Sequence, residues 1–218
     1  MNCIVTAGPT FEPLDEVRRL TNFSTGTLGS KLANYLAGHG HRVTLLLAQA
    51  ATYGGEQQAQ EIVPFTTTAD LGERLQALAV RRVDAVFHAA AVSDFIFGKI
   101  WERSPAGELT ECRAAKIATR SGALLAELVP TQKIIGRLRL WFPQARLVGW
   151  KYELDGDRSS ALVKAQRQIT ENQTDACVAN GRAYGPGFGL VLGRGECVHF
   201  RDPQALFAAL GQMSCAGR

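Results

Sequence analysis

Between Gly8 and Gly29 the chain concentrates groups that could do chemistry: Glu12, Asp15, Arg18, Arg19, Asn22, Ser24 and Thr25. Ser24, Thr25 and Thr27 flank Gly26 just before an apolar repeat of helical period, and hydroxyls at a helix N-terminus suit phosphate oxygens. A structural reading competes, in which Thr25 only caps the helix and the arginines lie in solvent. Arg18 and Asn22 are four apart, so a helical turn would present a guanidinium fork and a neutral amide on one face. Two further strand ends are polar, Ala89 to Asp94 and Asn180 to Tyr184. Asp94 could accept a hydrogen bond from a base amino group, bind a metal, or merely end a strand. Lys116, taken alone, reads as a solvated surface charge. The four histidines lack metal-ligand spacing, and His88 reads as a core or strand-end residue. No serine–histidine–acid set or nucleophile elbow is visible, and no cysteine stands out as a nucleophile.

The elements that must hold these groups alternate. Cys3 to Ala7 is a short β-branched apolar run, hence a buried strand. Leu28, Leu32, Tyr35 and Leu36 predict a helix ending at Gly38, and Val43 to Leu47 a second strand. Together they form a βαβ unit with an exceptionally polar first loop. Further strands are expected at Glu61–Phe65, Val83–His88, Ala145–Trp150 and Asp175–Asn180. Helices are expected through Leu71, Leu75 and Leu78 (capped by Thr68 or Asp70), over Thr131–Trp141, over Ser159–Thr170 and over Pro203–Met213. Phe188–Leu192 and Cys197–Phe200 read as a hairpin, and Phe95 to about 118 as an excursion from the sheet. The fold class is therefore α/β, a Rossmann-like, mostly parallel sheet flanked by helices with an antiparallel flap and hairpin appendage, in one domain spanning 1–218.

With 218 residues and 46% hydrophobic content the chain can bury one substantial core. A net charge of +4 without a lysine-rich run favours small anions over nucleic acid. The five cysteines form no CxxC pair and read as reduced residues of a cytoplasmic protein. No leader and no membrane span are expected.

The blocks TAGPTFEPLDEVRRLTNFSTGTLG, HAAAVSDF, AAKI, LVGWKYE and TDACVAN, in that order, resemble the phosphopantothenate–cysteine ligase family. The resemblance implies a step of coenzyme A synthesis. The carboxylate of 4′-phosphopantothenate attacks the α-phosphorus of CTP (ATP in eukaryotic members), releasing pyrophosphate. The amine of L-cysteine then displaces the nucleotide from the acyl-nucleotidyl intermediate. By position, Asn22 matches the asparagine that holds the acyl intermediate, Arg18 the arginine beside it, and Lys116 the first lysine of a flap motif that engages phosphate. Ala90 and Asp94 match the base-recognising segment. Trp150 stands where the family usually has phenylalanine near the nucleotide, Asn180 ends a substrate-binding strand, and Lys164 is a further phosphate contact. Gly8, Ser24 and Thr25 complete the nucleotide set. The resemblance also implies Mg²⁺ on the triphosphate, a homodimer, and no flavin, any decarboxylase being a separate protein. Further flap lysines are missing, since Ile117-Ala118-Thr119 follows Lys116. Two alternatives stand beside this reading: a non-catalytic nucleotide or phosphopantothenate sensor, and an NAD(P)-dependent reductase. The reductase is disfavoured because the glycines are wrongly spaced and Val43–Leu47 ends without an acidic ribose ligand.

Overall fold

The computed structural model describes residues 1–112, 114–117 and 122–215. Strand β1 (Asn2–Ala7) is the middle of the structure, paired in parallel with β4 (Arg42–Ala48) on one side and β6 (Ala85–His88) on the other. The sheet extends through β5 (Glu61–Phe65) beyond β4, and through β10 (Arg146–Tyr152) and β11 (Ala176–Asn180) beyond β6. Antiparallel β12 (Phe188–Leu192) and β13 (Cys197–Phe200) close the far edge, as the hairpin reading anticipated. Pro64 sits inside β5 without penalty because β5 is the other edge, where a missing N–H faces no partner strand.

Alternation along β1 explains the two layers. Cys3, Val5 and Ala7 join Leu32 and Leu36 of α1 (Thr27–Gly38) and Leu206, Phe207 and Leu210 of α5 (Pro203–Cys215). Ile4 instead joins Leu71 and Leu75 of α2 (Thr68–Leu78), with Ile134 and Leu138. Helix α4 (Arg158–Asn172) covers Cys177 and Ala179, on the face opposite α1. Each face thus seals one parity of the strands, as a sheet buried on both sides requires.

Three expectations need correction. The cap of α2 is neither Thr68 nor Asp70: Thr67 Oγ1 accepts from the Asp70 amide at 3.2 Å, while the Asp70 carboxylate takes the Thr66 amide at 2.8 Å. No helix spans Thr131–Trp141. The chain runs as strand β9 (Ala123–Pro130), and Thr131 is held extended by its amide on Asp94 O at 2.9 Å and its hydroxyl on Ser93 O at 2.7 Å. Helical structure therefore starts only with a 3₁₀ turn at Ile134–Arg137 and α3 (Leu138–Trp141). The excursion also runs further than about 118. Strands β7 (Phe95–Arg103), β8 (Leu109–Glu111) and β9 form an antiparallel sheet of their own. Positions 113 and 118–121 of that excursion lie outside the described residues.

His88 ends β6 inside the core, its Nδ1 3.0 Å from Thr6 Oγ1, which also accepts the Ala90 amide at 3.1 Å. Complete burial pushes its pKa down to about 4. The unfolded chain, with an ordinary histidine, takes up a proton first as pH falls. Stability from the neutral ring is therefore full above about pH 6.5 and is lost on descending to about pH 4, up to about 3 kcal/mol. Urea unfolding at pH 7 and pH 4.5 should show this loss, and His88→Gln should flatten it; an equal loss in that variant would assign the effect elsewhere.

Candidate active site at the carboxyl edge of the sheet

The chain leaves β1 through Gly8, whose φ of +90° only glycine adopts without strain. A Cβ there would stand 2.8 Å from Ala48 Cβ and 2.9 Å from Ala51 Cβ. Gly26, at φ +76°, is the N-cap of α1, and a Cβ on it would lie 3.3 Å from Gly8 Cα. The two glycines let loop and helix start cross against each other. Gly26 has no side chain to cap α1, so of its first amides only that of Thr27 meets a side chain among the described residues. Thr25 Oγ1 meets Thr27 Oγ1 at 2.7 Å and the Thr27 amide at 3.3 Å, just outside the cap position. The Thr25 carbonyl accepts the Thr52 and Tyr53 amides at 3.1 and 3.0 Å, which brings the segment after β4 to the rim. Nothing in the sequence singled out Thr52 and Tyr53.

The polar loop is not structureless. Its centre is a hairpin, β2 (Phe11–Pro13) against β3 (Arg19–Thr21), with the turn at 14–18. The base of this hairpin is tied to the end of β6. Ala91 N donates to Gly8 O at 3.0 Å, while Ala91 O accepts Thr10 N at 3.1 Å and Asn22 Nδ2 at 3.2 Å. Ser93 N donates to Thr10 Oγ1 at 2.8 Å. Buried Glu12 accepts the Thr68 amide at 2.9 Å, placing a carboxylate at the N-terminus of α2.

Arg18 and Asn22 do not share a helical face. They flank β3, so their backbones stand about 13 Å apart along the hairpin. Arg18 is instead engaged at the tip, where its Nη2 donates to Asp15 Oδ2 at 2.5 Å and to Ile117 O at 2.7 Å. Asp15 Oδ2 also accepts the Ile117 amide at 3.1 Å, and Glu16 N donates to Ala115 O at 3.0 Å. The Arg18 guanidinium, helped by these amides, holds the Asp15 carboxyl well below the usual carboxylate range. Lys116 lies between the fastened residues and is exposed.

The remaining expected residues divide into two groups. Gly8, Asn22, Ser24, Thr25 and Ala90 gather where β1 and β6 end, with exposed Asp94 at the entry to β7. Trp150 and Asn180 lie further along the same rim, on the face shared with α1, and buried Trp150 Nε1 and Asn180 Oδ1 have no partner among the described residues. Lys164 does not join them. It is on α4, with its ammonium 2.5 Å from Glu153, which also binds Lys151 at 3.2 Å. The thiol of Cys177 donates to Gln168 Oε1 at 2.9 Å, and burial pushes it up to about 12, which leaves it inert.

A mostly parallel sheet flanked by helices, with a glycine crossing and polar loops at its carboxyl rim, defines a Rossmann-like α/β domain. The chain belongs to the DNA/pantothenate metabolism flavoprotein C-terminal domain family, whose profile matches residues 1–192. A coenzyme A biosynthesis bifunctional protein CoaBC from Thermococcus kodakarensis is 31% identical over 179 residues, 81% of this chain and 40% of that protein. A cysteine/cysteine sulfinic acid decarboxylase from an unknown prokaryotic organism is 32% identical over 192 residues, 87% of this chain and 48% of its own length. The chain thus spans less than half of these two relatives. The fold matches the crystal structure of the DNA/pantothenate metabolism flavoprotein from Streptococcus pneumoniae, with a TM-score of 0.85, 24% identity, and 98% of this chain and 97% of that one covered. It also matches the H337A mutant of Cab2 in complex with phosphopantothenate-cysteine, at TM-score 0.75, 20% identity and 98% and 87% coverage.

Because Gly8 combines a left-handed backbone with a Cβ-filled neighbourhood, Gly8→Ala should destabilise the domain by about 2–4 kcal/mol. Chemical unfolding measures it; a loss within 0.5 kcal/mol, about the scale of a neutral surface change, would show that the crossing relaxes freely.

Proposed function

We propose that this domain condenses 4′-phosphopantothenate with L-cysteine at the expense of a nucleoside triphosphate, CTP in preference to ATP. The observation that carries the reading is the Asn22 carboxamide, fixed by one N–H on Ala91 O beside the glycine crossing and otherwise exposed. Family membership and the names of its relatives support the same assignment. The substrate carboxylate is itself the nucleophile toward the α-phosphorus, and pyrophosphate leaves. The cysteine amine then forms the amide, losing a proton as the nucleoside monophosphate departs. Such a sequence needs no activated protein nucleophile. It needs alignment and charge neutralisation, which a polar rim of this kind supplies.

Asn22 holds the acyl-nucleotidyl ester through its free amide atoms, and the amides of α1 with Ser24, Thr25 and Thr27 take phosphate oxygens. Ala90 and Asp94 face the base, and Trp150 and Asn180 line the continuation of the rim. Lys116 approaches from the hairpin tip, so an extended ligand, rather than one compact anion, links it to Asn22. A hydrated Mg²⁺ carried in on the triphosphate would offset phosphate charge and need few protein ligands of its own. Among the described residues no cluster of three or more His, Cys, Asp or Glu forms a cage for a metal.

Purified protein given CTP or ATP with 4′-phosphopantothenate, cysteine and Mg²⁺ should release pyrophosphate, faster with CTP. Asn22→Asp should lower that rate about 100-fold while the fold persists. Nucleotide binding without turnover would favour a sensor, and nicotinamide oxidation a reductase.

The accessory sheet supports a homodimer as well. Strand β9 is an edge strand, exposed along its whole length, and carries Leu124, Leu125, Leu128 and Val129. Light scattering should give a dimer for the wild type and a monomer for Leu128→Glu; an unchanged dimer would place the contact elsewhere.

A further inference from the structure

Asp15 bonds far more than a turn requires. Oδ1 accepts the Val17 and Arg18 amides at 3.0 and 2.8 Å, and Oδ2 accepts Arg18 Nε at 3.1 Å, Arg18 Nη2 at 2.5 Å and the Ile117 amide at 3.1 Å. Its side chain is only 1% exposed although it stands at a hairpin tip. Four of the five bonds make the Asx turn and the ion pair to Arg18. The surplus goes to a segment about a hundred residues away in sequence.

That segment is gripped through its backbone on both sides. The Ile117 N–H is held by Asp15 and the Ile117 carbonyl by Arg18 at 2.7 Å, with Ala115 O on the Glu16 amide at 3.0 Å. The Ile117 side chain is buried, at 5% exposure. Lys116, between these anchors, has an exposed side chain. A fixed main chain bearing a free ammonium limits what remains to be ordered on binding to side-chain rotamers.

We propose that Asp15 is a positioning residue for the reaction: through Arg18 it fixes the Ala115–Ile117 backbone so that Lys116 meets the nucleotide phosphates. This rests on the reading of the site given above. Arg18 then acts through the flap base rather than by touching the acyl ester. Lysine cannot replace it fully, because two forked N–H groups serve Asp15 and one of them also serves Ile117.

The test measures nucleotide KM in the wild type, Asp15→Asn, Arg18→Lys, Lys116→Gln and the Asp15→Asn/Lys116→Gln pair, with hydrogen exchange at the Ile117 amide. Loss of a charge-assisted phosphate contact should raise KM about tenfold in Lys116→Gln. Asp15→Asn should raise it similarly, Arg18→Lys less, and the double variant no further than Lys116→Gln alone. Ile117 exchange should quicken in Asp15→Asn while β1 amides keep their protection. Multiplying effects in the double variant, or an unchanged KM in Asp15→Asn despite faster Ile117 exchange, would overturn the positioning role. An unchanged KM in Lys116→Gln would remove the phosphate contact and this inference with it, while wild-type turnover would leave the ligase reading intact. Should Asp15→Asn fail to fold, Arg18→Lys, which keeps the charge, decides by the same criteria.

Discussion

The peptide of Ala91 is the constraint on which the site depends. Its N–H is spent on Gly8 O, and its carbonyl serves both Thr10 N and the Asn22 carboxamide. Two parallel strands normally diverge into separate loops once their ladder ends. Here the ladder is prolonged by one bridge, Pro9 with Ala91, so the loops after β1 and β6 leave the sheet as one body. Asn22 is thirteen residues downstream of Pro9 in that bridge, yet its amide is fixed against it because the β2–β3 hairpin folds the intervening chain back. A hydrogen-bonded amide in a defined orientation is what a ligand-binding carboxamide requires.

Around this junction the electrostatics are arranged by distance from the core. His88 is neutral beneath it, and its Thr6 partner receives the Ala90 amide, so the floor of the site carries no charge. Charged side chains surround it: buried Glu12 on the Thr68 amide near the hairpin base, exposed Asp94 at the rim and the Asp15–Arg18 pair at the hairpin tip.

Much of this was legible in the residues. The central strands are β-branched runs with clear boundaries, and the turn glycines at 8 and 26 sit where close approach demands them. Local pattern failed where distant contacts decide. The three-residue strands β2 and β3 have little propensity of their own; they exist because Glu12 and Thr10 find α2 and Ser93. The four-residue spacing of Arg18 and Asn22 matched a helical period, but pairing of Arg19 with Pro13 settled that stretch as strand. Thr131 follows a proline as a helix start would, yet it is claimed by Ser93 and Asp94. The ion pairs of Lys164 and Lys151 with Glu153, on the face opposite α1, leave no mark in local sequence pattern.

The feet of the accessory sheet have a separate implication. The chain departs at Asp94 and returns at Thr131, and these two residues are hydrogen-bonded to each other at 2.9 Å. Thr131 Oγ1 also donates to Ser93 O at 2.7 Å, so the two feet are held together and the length of chain between them adds little to the strain on β6 or β10. Such an insert behaves as a cassette. Away from the Ala115–Ile117 anchor, residues can be gained, lost or exchanged within it during evolution, or grafted by an engineer, while the register of the parent sheet stays as it is.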